Sequence, residues 1–217
     1  MITLFILKKT LLIIMAKWHG FGRCKTRLSK DIGKINSARV QSVMTNHTVS
    51  VARSLKEKGF IDVSLAISGL GLNNSRRWSK ELGIKNFNLQ GRGCLGEKMK
   101  RQILINKKYC VQEKIKNIIF IGTDLPDLCH LDLLNTLKKL KENDLILGPS
   151  NDGGYWLIAL SEKILSTYIN LPFININWSK ENVLQNTINN FSETNLRYTF
   201  LHEKIDIDTI IDIENRK

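Results

Sequence analysis

The chain has 217 residues, 42% of them hydrophobic and 24% charged. That is enough for one α/β domain with a core that needs no disulfide or metal staple. The net charge of +13 favours anionic partners, but no tail-like block of like charge appears and the lysines are spread over predicted helix faces.

Residues 1–9 read as a short N-terminal extension. Their apolar stretch is broken by Lys8 and Lys9, falls short of a membrane span and lacks the charge order of a signal peptide. "LLIIMA" (11–16) reads as a first buried strand. Residues 36–59 carry helical periodicity, with Val40, Val43, Met44, Val51 and Leu55 on one face and Gly59 as a stop. Strands follow at 62–68, 86–90 and 117–123, separated by helices at 74–83 and 96–110. A helix at 130–143 precedes two strands at 144–149 and 155–160. A helix at 179–191, with Ser179 as its cap, and a strand at 197–203 complete the chain. Strands separated by helices imply βαβ units and a mostly parallel sheet. No repeat or linker divides the chain, so 1–217 reads as one domain.

Ligands of open α/β sheets sit beyond the carboxyl ends of the strands. That places "KWHGFGRCKTR", "GRGCLG", "DLPD" and "NDGG" at one rim, each rich in glycine or charge. The loop at 17–30 holds two glycines and six basic residues, His19 included. It is not a P-loop, because Lys25-Thr26 is preceded by Cys24 rather than by glycine. "GRGCLG" (91–96) does match G-x-G-x-x-G. A dinucleotide fold expects that pattern after the first strand, with an acidic residue about 20 positions on. Here the next strand ends at Asp124, 28 residues past Gly96, so a tight turn feeding a helix is the better reading.

Asp124 directly follows a buried strand, where an unpaired carboxylate is costly and usually serves a ligand, a metal or a cap. Asp127 is the better helix cap. Asp152 sits in an Asp-Gly-Gly turn, which also suits a plain hairpin. "DIDT" adds Asp206 and Asp208. Mg²⁺ and Mn²⁺ favour oxygen ligands and often bridge carboxylates to substrate phosphates. A basic loop plus these carboxylates is therefore what a nucleotide–metal site requires. The four cysteines (Cys24, Cys94, Cys110, Cys129) form no CxxC pair and read as free thiols of a cytoplasmic protein.

"IIMAKWHGFGRCKTRLS", "GRGCLGEKM", "IGTDLPDL", "GPSNDGGYWLIAL", "NWS" and "IDIDT", in that order, resemble the DUF2064 family of glycosyltransferase-A-like proteins in the nucleotide-diphospho-sugar transferase superfamily. The resemblance spans about residues 10 to 213. It implies a three-layer α/β sandwich with a mostly parallel mixed sheet. It implies nucleotide contacts from Ala16, Lys17, Gly20, Gly22, Arg23, Lys25, Arg27 and Gly153, with Lys25 and Asp152 as the catalytic pair. It implies Mg²⁺ or Mn²⁺ at Asp124 and Asp208, with Asp152 close by. Tyr155 and Trp156 read as strand residues facing opposite sides, both in the core rather than stacked on a base. Two positions depart from the family pattern: His19 replaces a proline and Cys94 replaces an aspartate, although Glu97 is kept.

The leading expectation is metal-dependent glycosyl transfer from a nucleotide-sugar to a small-molecule acceptor. Nucleotidyl transfer with release of pyrophosphate is the alternative. A nucleic-acid-binding protein is a third reading, opposed by the lack of any recognised module and of aromatics interleaved with the basic residues. Nucleic acid is not expected as a partner, and no membrane span is expected.

Overall fold

The computed structural model describes residues 9–178 and 180–214. Apart from Lys9, the expected N-terminal extension lies outside them, as does Ser179. Within them, the apolar runs form strands β1 (Thr10–Lys17), β2 (Asp62–Ser68), β3 (Asn86–Leu89), β4 (Asn117–Ile121), β5 (Leu145–Pro149), β6 (Tyr155–Leu160) and β7 (Tyr198–Phe200). They make one sheet in the order β3-β2-β1-β4-β6-β5-β7. Neighbours pair in parallel except β6, which runs antiparallel to β4 and β5.

Three layers follow from the period-two alternation of β1. Leu12, Ile14 and Ala16 point into one core cluster, packed by α1 (Ser29–Glu57), α2 (Leu72–Glu81) and α4 (His130–Lys139). Leu11 and Ile13 point into the other, packed by α3 (Leu95–Gln112), α5 (Glu162–Thr167) and α6 (Val183–Asn189). Helix α7 (Ile210–Glu214) follows the sheet. Strands buried on both faces read as unbroken apolar runs, which is why β1 and β4 are plain in the sequence.

Several elements differ from expectation. Helix α1 starts seven residues early, at Ser29 rather than 36, across a kink where Gly33 takes φ 80. Its buried face is Ser37, Gln41, Met44, Thr45, Thr48, Val49, Ala52 and Leu55, whereas Val43 is 68% exposed. The helix expected at 179–191 contracts to Val183–Asn189, and the strand expected at 197–203 to Tyr198–Phe200. Helices α5 and α7, of 6 and 5 residues, carry too few turns to show periodicity.

Candidate active site

The carboxyl ends of β1, β4, β5 and β7 meet at one rim, and the loops beyond them hold most of the chemistry. Lys25 lies at the centre. Its backbone sits at φ 47, a left-handed conformation uncommon outside glycine. Its side chain is only 3% exposed. The ammonium donates to the Ile207 carbonyl at 2.5 Å and to Asp208 Oδ1 at 3.0 Å, and it lies 2.9 Å from Asp124 Oδ1. Burial lowers the lysine pKa, but the two carboxylates outweigh it and hold it above the ordinary value.

Residues 201–209 lie along the rim in a fixed path. Ile207 N–H donates to the Asp124 carbonyl at 3.0 Å, and Lys204 N–H to the Pro149 carbonyl at 3.1 Å. The Lys204 ammonium pairs with Asp132 at 3.1 Å and stands 5.6 Å above the Trp156 ring. Asp212 accepts from the Asp208 and Thr209 backbone amides, which sets the orientation of Asp208. Asp206 lies in this segment with its carboxyl pushed up to about 7, first by burial, then by the charges of Asp124 and Asp152. Lys25 opposes that rise and Asp208 adds to it. Three carboxylates thus act on Asp206, opposed by one buried ammonium.

Three adjoining hollows open above this group. One of about 230 Å³ is lined by Lys17, Lys25, Arg27, Gln41, Asp124 and Asp208. A larger cleft of about 770 Å³ is lined by Arg27, Asp152, Gly153, Trp178, Lys180, Asp206 and Asp208, among others. A narrow apolar hollow of about 100 Å³, walled by Met99, Phe120 and Tyr155, shares Asp124 and Asp206 with them. Of the residues expected from the sequence, Lys17, Lys25, Arg27, Asp124, Asp152, Gly153 and Asp208 come together here. Ala16, Gly20, Gly22 and Arg23 line none of the three. Ala16 is fully buried in β1, and its carbonyl accepts from the Gln90 amide at 3.3 Å. Gly20 abuts the Trp18 ring, and Gly22 turns the loop at φ 68.

Trp156 is core, with its indole N–H donating to the His202 carbonyl at 3.2 Å. Tyr155 faces the other side of the sheet and meets Trp178 edge-on at 6.4 Å, on the wall of the large cleft. Trp178 in turn lies against the first turn of α3, where a Cβ on Gly96 would stand 2.4 Å from the indole. Gly96→Ala is therefore expected to displace Trp178 and shift the tryptophan fluorescence of the folded protein, with the helical circular dichroism unchanged. Cys94, at the position where the family pattern has aspartate, caps α3: its N–H donates to Glu97 Oε2 at 2.8 Å. Glu97 serves this cap. His19 packs between Trp18 at 4.1 Å and Trp78 at 5.8 Å, and burial holds its imidazole below the usual pKa. Stacking here occupies the position where the family pattern has a stiffening proline.

Asp152 Oδ1 accepts from Ser150 Oγ at 2.6 Å and from Gly154 N–H at 3.0 Å, closing the β5–β6 turn. The hairpin and site readings of Asp152 thus coexist, since the same residue lines the large cleft. Sequence reasoning missed Gln41, whose amide donates to Thr123 Oγ1 at 3.0 Å beneath the smaller hollow. Its signal was a polar residue at the helical spacing of Ser37, Met44 and Thr48.

Among the described residues, no three His, Cys, Asp or Glu side chains are grouped to hold an ion alone. The donor set nonetheless suits a hard divalent cation. Asp124 and Asp208 have side chains 39% and 49% exposed toward the hollows, and such ions commonly take one or two carboxylates plus substrate phosphates. No described helix is long and apolar enough to cross a membrane.

The DUF2064 family, described as an uncharacterized protein conserved in bacteria, matches residues 51–180. No curated protein matches the chain by sequence. Among solved structures, the chain is similar to a Desulfovibrio desulfuricans protein assigned as a nucleotide-diphospho-sugar transferase. Identity is 23% at TM-score 0.78, over 94% of this chain and 84% of that one. It is similar to 4-diphosphocytidyl-2C-methyl-D-erythritol synthase of Anaerococcus prevotii, 12% identical at TM-score 0.58, over 96% and 95% of the two chains. It is also similar to the glucosyl-3-phosphoglycerate synthase of Mycobacterium tuberculosis in complex with Mn²⁺, UDP and glucosyl-3-phosphoglycerate. There identity is 10% at TM-score 0.58, over 92% and 70%.

Proposed function

The chain belongs to the DUF2064 family, and from that premise we propose that it is a divalent-metal-dependent transferase acting on a nucleotide or nucleotide-sugar, with glycosyl transfer from a nucleoside-diphosphate sugar as its reaction. The observation that carries this reading is one rim at which Lys17 and Arg27 share a hollow with Asp124 and Asp208. Cations there bind phosphate oxygens, and the carboxylates hold Mg²⁺ or Mn²⁺. The bound ion supplies charge neutralisation for the departing diphosphate. Lys17 and Arg27 orient that diphosphate and share its developing charge. The large cleft, with Tyr155 and Trp178 on its wall, takes the acceptor. Asp152 removes the proton from the acceptor hydroxyl through Oδ2, because Oδ1 is committed to the turn. The Mn²⁺–UDP complex of the mycobacterial synthase supports this assignment by likeness of fold.

Nucleotidyl transfer to a phosphorylated small molecule is the second reading. It is favoured by the erythritol synthase, 95% of whose chain is covered. Both readings use the same loop and the same carboxylates. A thermal-shift panel separates them: UDP- and GDP-sugars against CTP and the other nucleoside triphosphates, each with Mn²⁺. A ligand at about 100 times its Kd stabilises by about 2.7 kcal/mol, or about 5–10 °C for a chain of this size. Shifts with diphosphate sugars alone support glycosyl transfer, and shifts with triphosphates alone support nucleotidyl transfer. No shift with any nucleotide, alongside salt-sensitive binding of single-stranded nucleic acid, overturns both.

A further inference from the structure

The sequence leads one to expect Lys25 on the substrate's phosphates, but its surroundings argue otherwise. An ammonium has three N–H donors. Here three protein oxygens surround it within 3.0 Å: the Ile207 carbonyl, Asp208 Oδ1 and Asp124 Oδ1. The side chain is 3% exposed, while Arg27 beside it is 76% exposed. One cation therefore faces the hollow and the other is spent inside the wall. The two carboxylates reach Lys25 from different parts of one rim, Asp124 after the central strand β4 and Asp208 beyond the edge strand β7.

The geometry points to Lys25 as an internal counter-cation: it neutralises the Asp124–Asp208 pair in the metal-free protein, keeps the affinity for a divalent ion low, and so makes ion binding depend on the diphosphate that arrives with it. This rests on the metal reading above. A divalent ion at Asp124 and Asp208 meets a positive charge already within 3 Å of one oxygen of each carboxylate. Their mutual repulsion opposes binding of the ion alone. A bound diphosphate adds negative charge and ligand oxygens from the opposite side, and that reverses the balance. Lys25 is thus a positioning residue rather than a phosphate ligand. Lys9 and Lys204 also meet two carboxylates each, but their side chains are 42% and 11% exposed, against 3% for Lys25.

The test uses the full chain, Mn²⁺ alone, and inorganic pyrophosphate as the diphosphate common to both reactions. Free Mn²⁺ is read by electron paramagnetic resonance, and pyrophosphate binding with and without Mn²⁺ by calorimetry. Lys25→Met is expected to bind Mn²⁺ at least tenfold tighter than the wild type and, because Asp124 and Asp208 are then unneutralised, to lose pyrophosphate affinity without metal and recover it with saturating Mn²⁺. Arg27→Ala is expected to change Mn²⁺ binding less, since Arg27 meets Asp208 only at 3.8 Å from an exposed position, and to lose pyrophosphate affinity several-fold with or without Mn²⁺. Lys25→Gln, which keeps an N–H donor for the Ile207 carbonyl, guards against a folding defect and is expected to gain thermal stability from Mn²⁺ beyond the wild-type gain. The inference is overturned if Lys25→Met binds Mn²⁺ no tighter, or if saturating Mn²⁺ fails to restore its pyrophosphate affinity to the wild-type level. It is equally overturned if Lys25→Gln stays unfolded at millimolar Mn²⁺, since an ion replacing the ammonium should restore the charge balance. The metal reading survives all three results provided that Asp124→Asn binds less Mn²⁺ than the wild type. If no form binds Mn²⁺ even with pyrophosphate, both fall.

Discussion

Asp124→Asn is expected to lose Mn²⁺-dependent nucleotide binding by a hundredfold or more, equivalent to about 2.7 kcal/mol. The residue stands directly beyond β4, on the wall shared by the two smaller hollows, and its side chain is 39% exposed there. Asparagine keeps the shape and one acceptor oxygen. It removes the charge that a hard cation requires. The fold should persist, because the backbone is held independently: the Asp124 carbonyl accepts from Ile207 N–H at 3.0 Å, and β4 pairs with both β1 and β6. The variant also leaves Lys25 with Asp208 and the Ile207 carbonyl as partners. A calorimetric titration of UDP or CTP with and without Mn²⁺ reads the effect directly. Metal dependence that survives unchanged would remove Asp124 from the metal site.

The rim was legible because the sequence states two things plainly. Strands buried on both faces appear as apolar runs, and the residues after them are glycines and charges. That was sufficient for β1, β4, β5 and β6 and for the loops at 17–30, 124–127 and 150–154. The partners of those charges were not legible. Lys25 and Asp208 lie 183 positions apart and meet only because β7 closes the far side of the sheet beside β5. Sequence reasoning sees a lysine in a basic loop and assigns it to phosphate with its neighbours. Only the fold shows Lys25 directed inward and Arg27 outward. Asp206 and Asp208 are separated by one residue, and composition gives no reason to prefer either. The fold separates them, because Asp208 pairs with Lys25 while Asp206 lines the apolar hollow. The buried face of α1 was misread for a related reason. Its interior stripe carries Gln41, Thr45 and Thr48, of which Gln41 and Thr45 bond to each other, to the helix backbone and to Thr123, so hydropathy points to the wrong side.

Gly153→Ala is expected to destabilise the protein by about 3 kcal/mol or more, lowering Tm by about 6–12 °C, because steric overlap adds to backbone strain. Gly153 sits at φ 80, and a Cβ there would stand 1.8 Å from the Glu181 carbonyl oxygen and 2.5 Å from its carbon. The clash is with backbone, so no rotamer change relieves it. The two segments are also bonded, with Leu184 N–H donating to the Gly153 carbonyl at 3.0 Å. To admit a methyl group, the β5–β6 turn must part from residues 181–184. Those residues and the turn form facing walls of the large cleft. Gly59→Ala is the control. It has a similar φ of 75 but nothing within 4 Å of a Cβ, so it should cost only the backbone penalty of about 1 kcal/mol. Paired thermal melts of the two variants separate strain from overlap. Equal losses would mean that the turn and the Glu181 segment are not in contact in solution, and the cleft would lose one of its walls. A greater loss at Gly153, with weakened nucleotide-dependent stabilisation of the protein that remains folded, would tie that contact to the shape of the acceptor cleft.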